Sequence, residues 1–165
     1  IVVSQLGFSS TAGAASKWVA GVESGLSFSA PTINVGATLA LQYETFGLFS
    51  KVEWNPWILT QDPDDFIRNG TLNISFGVEA IYLKGSCRSG FGVGTSSLLF
   101  ETALDPRWST GLYVEIFPLS LRVDLWRGIN LRWDSVSMHL VAPVLDGIPL
   151  AMLEYRHTVA LEWDL

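Results

Sequence analysis

Two histidines, His139 and His157, are the residues of this chain best suited to acid–base chemistry near neutral pH. In a hydrolase, one of them would activate a serine while a carboxylate holds the imidazole in place. The candidate partners are Ser96, Ser97, Ser135, Ser137, Asp134 and Glu154. No local motif around either histidine identifies a catalytic site. We therefore predict no catalytic residues, and an enzyme that uses His139 or His157 stays as an alternative.

Metal and redox chemistry have weaker support in the sequence. The segment Gln61–Gly70 carries Asp62, Asp64 and Asp65, whose oxygens are of the kind that Ca²⁺ prefers. Their spacing matches no EF-hand loop, and Asp-Pro-Asp-Asp is equally typical of a turn. The single cysteine, Cys87, excludes an internal disulfide and suits neither a zinc site nor a redox pair. We predict no metal and no cofactor.

The composition is unusual for a water-soluble domain. Hydrophobic residues make up 48% and charged residues 16%, against about 25% charged residues in an average domain. The net charge of −6 argues against nucleic-acid binding. Charged residues interrupt every apolar run well before the roughly 18 residues that a transmembrane helix needs. Such a balance is typical of strands in which lipid-facing and interior residues alternate.

The C-terminal segment shows this alternation to its end. Val159, Leu161, Trp163 and Leu165 share one face, and the residues between them, such as Glu162 and Asp164, share the other. Eight such segments can be drawn, at 17–29, 33–44, 45–55, 71–84, 87–100, 111–125, 129–142 and 150–165. They predict an all-β fold, an eight-stranded antiparallel transmembrane up-and-down β-barrel over residues 17–165. Residues 1–16 are expected to form an N-terminal extension, with Ile1 as a mature or trimmed start.

The connections and phase changes refine this topology. The links after the second, fourth and sixth segments are short, whereas Pro56–Gly70 and Glu101–Thr110 are expected to be long loops. Short turns mark the periplasmic side of an outer-membrane barrel. The alternation changes phase at Phe117–Pro118 and near Asp134, and this predicts β-bulges at both places.

The polar faces of the segments carry charges that a narrow barrel would enclose. Because unpaired buried ions are costly, we expect the luminal charges to pair as a salt-bridge network, with a proton or ion path as the alternative. The residues predicted in this network are Glu23, Lys51, Glu53, Glu79, Arg88, Glu115, Arg122, Asp124, Arg132, Asp134, Glu154, Arg156, Glu162 and Asp164.

Aromatic residues cluster at both ends of the segments, which is typical of the interfacial girdles that anchor a barrel. The residues predicted at the short-turn interface are Trp18, Tyr43, Phe46, Trp126 and Trp163. Those predicted at the long-loop interface are Trp54, Trp57 and Trp108.

The terminal strand, the asymmetry of turns and loops and the girdles together resemble small Gram-negative outer-membrane β-barrel proteins, of the OmpA-transmembrane-domain and OmpX type. In that family the C-terminal assembly signal usually ends in an aromatic residue, whereas here Leu165 is last and Trp163 supplies the aromatic ring. The resemblance implies a bacterial outer-membrane location and contact with outer-membrane lipid, either phospholipid or lipopolysaccharide.

For function, we expect a non-enzymatic barrel that acts as a structural or interaction protein, or as a subunit of a membrane assembly. Its external loops or its lipid-facing surface would contact the partner. One alternative is a lipid-modifying outer-membrane enzyme that uses His139 or His157. The other is a soluble lipocalin-like barrel with inward apolar faces, although Lys17-Trp18 lacks the Gly-x-Trp arrangement of lipocalins.

Overall fold

The structure, a computed structural model, describes residues 16–28, 32–56, 70–102, 105–145, 148–149 and 151–165. These residues are almost all in β-strands, and a single 3₁₀ turn covers Leu83–Gly85. The strands are β1 (Lys17–Ser27), β2 (Ile33–Gln42), β3 (Phe46–Pro56), β4 (Gly70–Tyr82), β5 (Cys87–Thr102), β6 (Asp105–Trp126), β7 (Ile129–Ala142), β8 (Val144–Leu145), β9 (Ile148–Pro149) and β10 (Met152–Asp164). The predicted extension falls largely outside the described residues, since residues 1–15 are not among them.

Eight of these strands form a closed antiparallel barrel in the order β1-β10-β7-β6-β5-β4-β3-β2. Closure joins the two ends of the chain, with Ala20 on β1 opposite Trp163 on β10. Consecutive strands are neighbours throughout, and β8 and β9 form a separate two-stranded ribbon between β7 and β10. The predicted eight-stranded up-and-down barrel is confirmed. Closure pairs the backbone groups that an open sheet edge would leave exposed.

The barrel carries its apolar side chains on the outside. Leu39 is 44% exposed, and Val22, Phe76 and Val78 are likewise exposed on the outer face. Glu53 and Arg156, by contrast, are fully buried inside. The lipocalin-like alternative is therefore wrong, because it requires apolar side chains inside and charges in solvent. An apolar exterior around a polar interior is the arrangement of a barrel whose solvent is lipid.

In the described part of the chain, no helix has the length and apolar character needed to cross a membrane.

Irregularities in the ladders lie where the alternation changes phase. The register between β6 and β7 shifts between Ile116 and Leu119 and again before Ser120, which confirms the bulge predicted at Phe117–Pro118. On β10 the pairing with β7 jumps from Arg156 to Thr158, opposite the phase change predicted near Asp134. Each bulge lets a strand turn a side chain towards the other face.

One predicted connection is wrong. Glu101–Thr110 was expected as a loop, but β5 continues to Thr102 and β6 begins at Asp105, with Thr102 paired to Asp105. The ladder between β6 and β7 begins only at Leu112, so residues 105–111 extend beyond it for roughly 20 Å, at about 3.3 Å per residue. Hydropathy cannot locate such an extension, because two strands can pair in water without an apolar face.

Candidate functional site

Glu162 is the centre of the charged group at the short-turn end of the lumen. Its carboxylate lies 2.8 Å from Arg88 Nη2, 3.0 Å from Arg132 Nη1 and 3.6 Å from Arg122 Nε. Arg122 also contacts Asp164, with 2.5 Å between Nη2 and Oδ1. We term this group the turn-side cluster; its members are Lys17, Glu79, Arg88, Arg122, Arg132, Glu162 and Asp164.

Six strands supply this cluster, including β1 and β10, which meet where the barrel closes. Asp164 lies near the end of the chain and pairs with Lys17 at the start of β1, with 2.9 Å between Nζ and Oδ2. Glu79 on β4 accepts a hydrogen bond from Gln42 at 2.7 Å and lies 3.6 Å from Arg88. Residues remote in sequence therefore meet because the barrel closes, and their charges compensate one another inside it.

A second charged group occupies the long-loop end of the lumen. Arg156 lies between two carboxylates: its Nη1 contacts Glu53, and its Nη2 lies 2.6 Å from Glu154. Lys51 lies 2.5 Å from Glu115 and 3.6 Å from Glu53. All five side chains are buried. We term this group the loop-side cluster; its members are Lys51, Glu53, Glu115, Glu154 and Arg156.

Uncharged polar side chains complete the hydrogen bonding of the loop-side cluster. Asn34 and Asn73 donate to the two oxygens of Glu53 at 3.0 and 3.1 Å, and Ser75 donates to Glu115 at 2.5 Å. These partners were not among the predicted site residues. Their inward position followed from the alternation, but which amide meets which carboxylate depends on the strand register.

Glu23 connects the two clusters. One of its oxygens lies 3.1 Å from Lys51 Nζ of the loop-side cluster, and the other contacts Arg132 Nη2 of the turn-side cluster. Glu23 is buried on β1, halfway along the strand. Ion pairs therefore run without a break from Lys17 at one end of the lumen to Glu154 at the other.

Two predicted luminal acids differ in their placement. Asp134 is buried, and one of its oxygens lies 3.3 Å from Arg132 Nε. Asp124 lies opposite the buried Asn130 in the ladder, on the same face as Arg122, and it is exposed because it sits at the short-turn mouth of the lumen. The ladder shifts only after this residue, between Asp124 and Trp126.

An aromatic pair fills the lumen between the two clusters. The rings of Phe49 and Phe117 lie 5.7 Å apart, tilted by 56°. Phe49 lies on the inward face of β3 between Gly47 and Lys51, where most side chains are polar, and a Cβ on Gly77 would overlap its ring. A Cβ on Gly90 would likewise overlap the ring of Phe117. The glycines of the opposite strands therefore provide the space for both rings.

A small cavity lies beside this aromatic pair. It is lined by Lys51, Glu115, Arg132, Asp134 and His139, among others. The volume inside it that the centre of a water molecule can occupy is about 20 Å³. That is enough for about one water molecule, and the polar lining suits one. The lumen around it is packed with side chains, as expected for eight strands.

His139 lies inside the lumen with both ring nitrogens engaged. Tyr113 Oη lies 2.6 Å from Nδ1, and Ser137 Oγ lies 2.7 Å from Nε2. The serine–histidine contact considered for catalysis therefore exists here, but all three side chains are buried. Lipid on the outer face cannot reach this pair. The arrangement can pass protons among the three groups, and it holds the imidazole in one orientation.

His157 lies on the outer face of β10, opposite the bulge that Ser135 and Val136 form on β7. Its ring packs edge-to-face on Phe28, with 4.7 Å between centroids and an angle of 86°. The nearby Ser135 hydroxyl donates to the Leu119 carbonyl at 3.4 Å. That hydroxyl is thus directed at the backbone.

The aromatic residues at the short-turn end lie on the outer face. Trp18 and Phe46 are about half exposed and Trp126 is 64% exposed, while Tyr43 and Trp163 are half-buried. Tyr43 stacks on Phe46 with 4.6 Å between ring centroids.

At the long-loop end, Trp54 is half-buried on β3. Trp57 lies outside the described residues, and of Trp108 the structure describes only the backbone, which belongs to β6. The second girdle, at the long-loop end, therefore stays a prediction.

Metal and thiol sites find no support within the described ranges. No group of three or more His, Cys, Asp or Glu side chains there has the geometry to hold a metal ion. Asp62, Asp64 and Asp65 lie outside those ranges. Cys87 is a half-buried free thiol at the first position of β5.

A closed antiparallel sheet with an apolar exterior and an ion-paired interior defines a membrane-spanning β-barrel with a filled lumen. No model of a protein family matches the chain, and no curated protein matches it. Solved structures do match. The N-terminal β-barrel domain of Pseudomonas aeruginosa OprF aligns with a TM-score of 0.58 at 8% identity, over 90% of this chain and 97% of that one.

Neisserial surface protein A (NspA) aligns with a TM-score of 0.57 at 10% identity, over 93% of this chain and all of that one. Both are eight-stranded outer-membrane barrels. Identities this low show a shared fold. The eight-stranded barrel architecture expected from the sequence is therefore confirmed. The predicted location of this protein in the outer membrane is consistent with that architecture.

Proposed function

We propose that this protein is a non-enzymatic outer-membrane barrel with a closed lumen, which acts on its surroundings through its outer surfaces. It would serve as a structural or interaction protein, or as one subunit of a membrane assembly. The observation that carries this proposal is the filling of the lumen, where continuous ion pairs and two phenylalanine rings occupy the cross-section.

The lumen leaves little room for a transported solute. A hydrated ion would have to break the contacts of Lys51 with Glu115 and Glu23, and it would also have to pass Phe49 and Phe117. Breaking a buried ion pair exposes an uncompensated charge, which is strongly unfavourable. The same contacts favour a role as a rigid body over a role as a channel.

The hairpin formed by β5 and β6 supports a role in interaction. Residues 105–111 of β6 pair with β5, while the ladder of β6 with β7 starts only at Leu112. The second edge of β6 is therefore not part of the barrel ladder over these residues, although β8 lies close to β6 without pairing to it. Strand edges of this kind accept an extended segment of another chain. A protein partner would bind at this projecting hairpin.

Ion conductance in planar bilayers tests the closed lumen. We expect no stepwise currents from the wild-type barrel, and currents from a Phe49→Ala/Phe117→Ala variant whose aromatic pair is removed. Phe76→Ala is the matched control, because Phe76 is 65% exposed on the lipid side. Steady wild-type currents of the size given by the double variant would contradict the proposal.

Lipid analysis tests the enzymatic alternative. Ser137→Ala and His139→Ala remove the buried serine–histidine contact, and His157→Ala removes the outer histidine. We expect membranes that carry each variant to have the same lipid A and phospholipid species by mass spectrometry as wild-type membranes. A lipid species that disappears with one of these variants would favour the enzyme instead.

A further inference from the structure

The barrel wall has a gap at its short-turn end, between β5 and β6. The ladder of these two strands ends where Cys87 pairs with Leu121, and a last hydrogen bond runs from the Arg122 N–H to the Ser86 carbonyl at 2.8 Å. β6 continues beyond this point to Trp126. Over these last residues, no strand of the described chain pairs with this edge of β6. The gap therefore lies between the β6–β7 hairpin and the turn that joins β4 to β5.

Each of the two turns that border the gap has a basic residue in a left-handed backbone conformation. Lys84 has a φ of 56° and Arg127 a φ of 41°, and a glycine follows each of them. Such positions favour glycine, asparagine or aspartate, and other residues adopt them only at an energetic cost. The turns alone therefore do not explain a lysine and an arginine here. An observed strain of this kind points to a function for the side chain.

Neither of these cations is compensated by a carboxylate of the chain. Lys84 is exposed, and the Arg127 guanidinium lies over the Trp126 ring, 5.0 Å from its centroid. Within the described residues, neither side chain has an ion-pair partner. The other six lysine and arginine side chains that the structure describes are all ion-paired. The two cations beside the gap can therefore bind an anion from outside the chain.

Both cations lie at the level where the strands end. Lys84 and Arg127 line one open cavity, and three residues at other strand ends line the same cavity, namely Lys17, Glu44 and Asp164. In an outer-membrane barrel the short turns lie on the periplasmic side. The cavity therefore lies among the headgroups of the inner leaflet.

The outer face beside the gap is apolar up to this level. Tyr82 on β4 and Val123 on β6 are exposed on either side of it, and Leu83 and Trp126 are exposed at the two turns. Tyrosine and tryptophan are typical of the boundary between headgroups and acyl chains. A molecule that fits this place needs an anionic group for the cations and hydrocarbon for the apolar face. A phospholipid has both, since its phosphate is a strong acceptor for lysine and arginine.

The acidic residues of the cavity do not lie on this outer face. Asp124 shares the luminal face of β6 and lies opposite Asn130, and Glu44 belongs to the β2–β3 turn, which β4 separates from the gap. On the described outer faces of β4, β5 and β6, no acidic residue borders the gap. Two cations without a neighbouring acid favour a headgroup with a net negative charge over a zwitterionic one.

We propose that Lys84 and Arg127 bind the phosphate of one phosphatidylglycerol molecule of the inner leaflet, whose acyl chains lie on the apolar face of β6 beside the gap. The site deepens the lipid-facing part of the proposed function, on which it rests. The closed lumen is tested separately by conductance, so either proposal can fail while the other holds.

Native mass spectrometry of the full chain in micelles tests this site. The barrel is titrated with phosphatidylglycerol and, separately, with phosphatidylethanolamine. We expect the wild type to retain one phosphatidylglycerol molecule, and to retain it more tightly than phosphatidylethanolamine. Lys84→Asn and Arg127→Asn each remove a cation and should weaken the retention of phosphatidylglycerol about fivefold.

The same two variants separate binding from folding. Asparagine tolerates the left-handed conformation, so the urea midpoint of each variant should equal or exceed that of the wild type. Heat-modifiable migration on gels confirms that each variant is folded. Weaker lipid retention by a barrel that is at least as stable shows that the two cations serve the lipid. Lys84→Arg keeps the charge and should keep the binding.

Lys17→Gln is the matched control, because it removes a cation from the same cavity that already pairs with Asp164, with 2.9 Å between Nζ and Oδ2. It should leave the retention of phosphatidylglycerol unchanged. A loss as large as that of Lys84→Asn would mean that only the total charge of the mouth matters, and would overturn the site. Unchanged retention by the folded double variant Lys84→Asn/Arg127→Asn, or equal retention of both lipids by the wild type, would overturn it as well.

Discussion

The ring of Phe117 occupies the space beside Gly90, where any Cβ would overlap it. The two residues lie opposite each other in the β5–β6 ladder, immediately after the register shift between Arg88 and Gly90. The bulges thus bring an aromatic side chain into the lumen at a position where the neighbouring strand has no side chain. The rings of Phe49 and Phe117 fill the lumen at this level, and the two ion-paired clusters fill it on either side.

Replacing Gly90 tests this fit. Gly90→Val places branched carbons where the Phe117 ring lies, so we expect the free energy of unfolding to fall by about 1–3 kcal/mol. Urea unfolding in lipid vesicles, followed by tryptophan fluorescence, measures the change. Gly21→Ala is the milder comparison, because a Cβ there meets Glu162 Cγ at 3.3 Å and does not overlap a ring. Equal stability of Gly90→Val and wild type would show that Phe117 has room to move.

The sequence predicted the strands better than it predicted what fills the barrel. Val159, Leu161 and Trp163 alternate with polar residues, and this period of two determines which face of β10 meets lipid. On β3, Phe49 keeps this period but places an aromatic ring on the inward face, where polar residues are expected. Its reason lies on another strand, in the missing side chain of Gly77, and a single strand read alone does not contain that information.

Truncating Phe49 tests the contribution of the aromatic pair to stability. Phe49→Ala leaves a cavity between two charged clusters, and we expect a loss of about 3–5 kcal/mol in unfolding free energy. Phe76→Ala should cost less, because acyl chains outside the barrel can fill the vacated space. Both values come from the same urea titrations. A loss for Phe76→Ala as large as that for Phe49→Ala would mean that internal packing is not the cause.

The ion pairs of the lumen show a second limit of sequence reasoning. Alternation predicted the inner face for Arg156 and Glu53, and the structure has both there, but their contact joins β10 to β3 across the lumen. Such pairs depend on how the barrel closes and on its register. Asp124 shows a related limit, since alternation predicted its face but not its height at the mouth of the lumen, where it is exposed.

Removing Arg156 tests the loop-side cluster. Arg156→Met leaves the buried carboxylates of Glu53 and Glu154 without their shared cation, and we expect a loss of about 3–5 kcal/mol. The triple variant Arg156→Met/Glu53→Gln/Glu154→Gln removes the unpaired charges as well, and it should recover much of that loss. Urea midpoints of the single and triple variants provide the comparison. No recovery in the triple variant would show that Arg156 acts mainly by packing.

Charge substitution on the outer face tests the orientation of the whole barrel. Val22 lies midway along β1 and is 51% exposed, so Val22→Arg would place a cation in the hydrocarbon centre. We expect it to cost about 2–4 kcal/mol in lipid vesicles, whereas Leu125→Arg, one residue before the end of β6, should cost only about 0–1 kcal/mol. The difference reflects depth in the bilayer, since both side chains are apolar and exposed. Unfolding titrations in bilayers of two thicknesses measure it, and a thicker bilayer should raise the cost at Leu125. Equal, small costs at both positions would mean that this face meets water, and the membrane-spanning assignment would then fail.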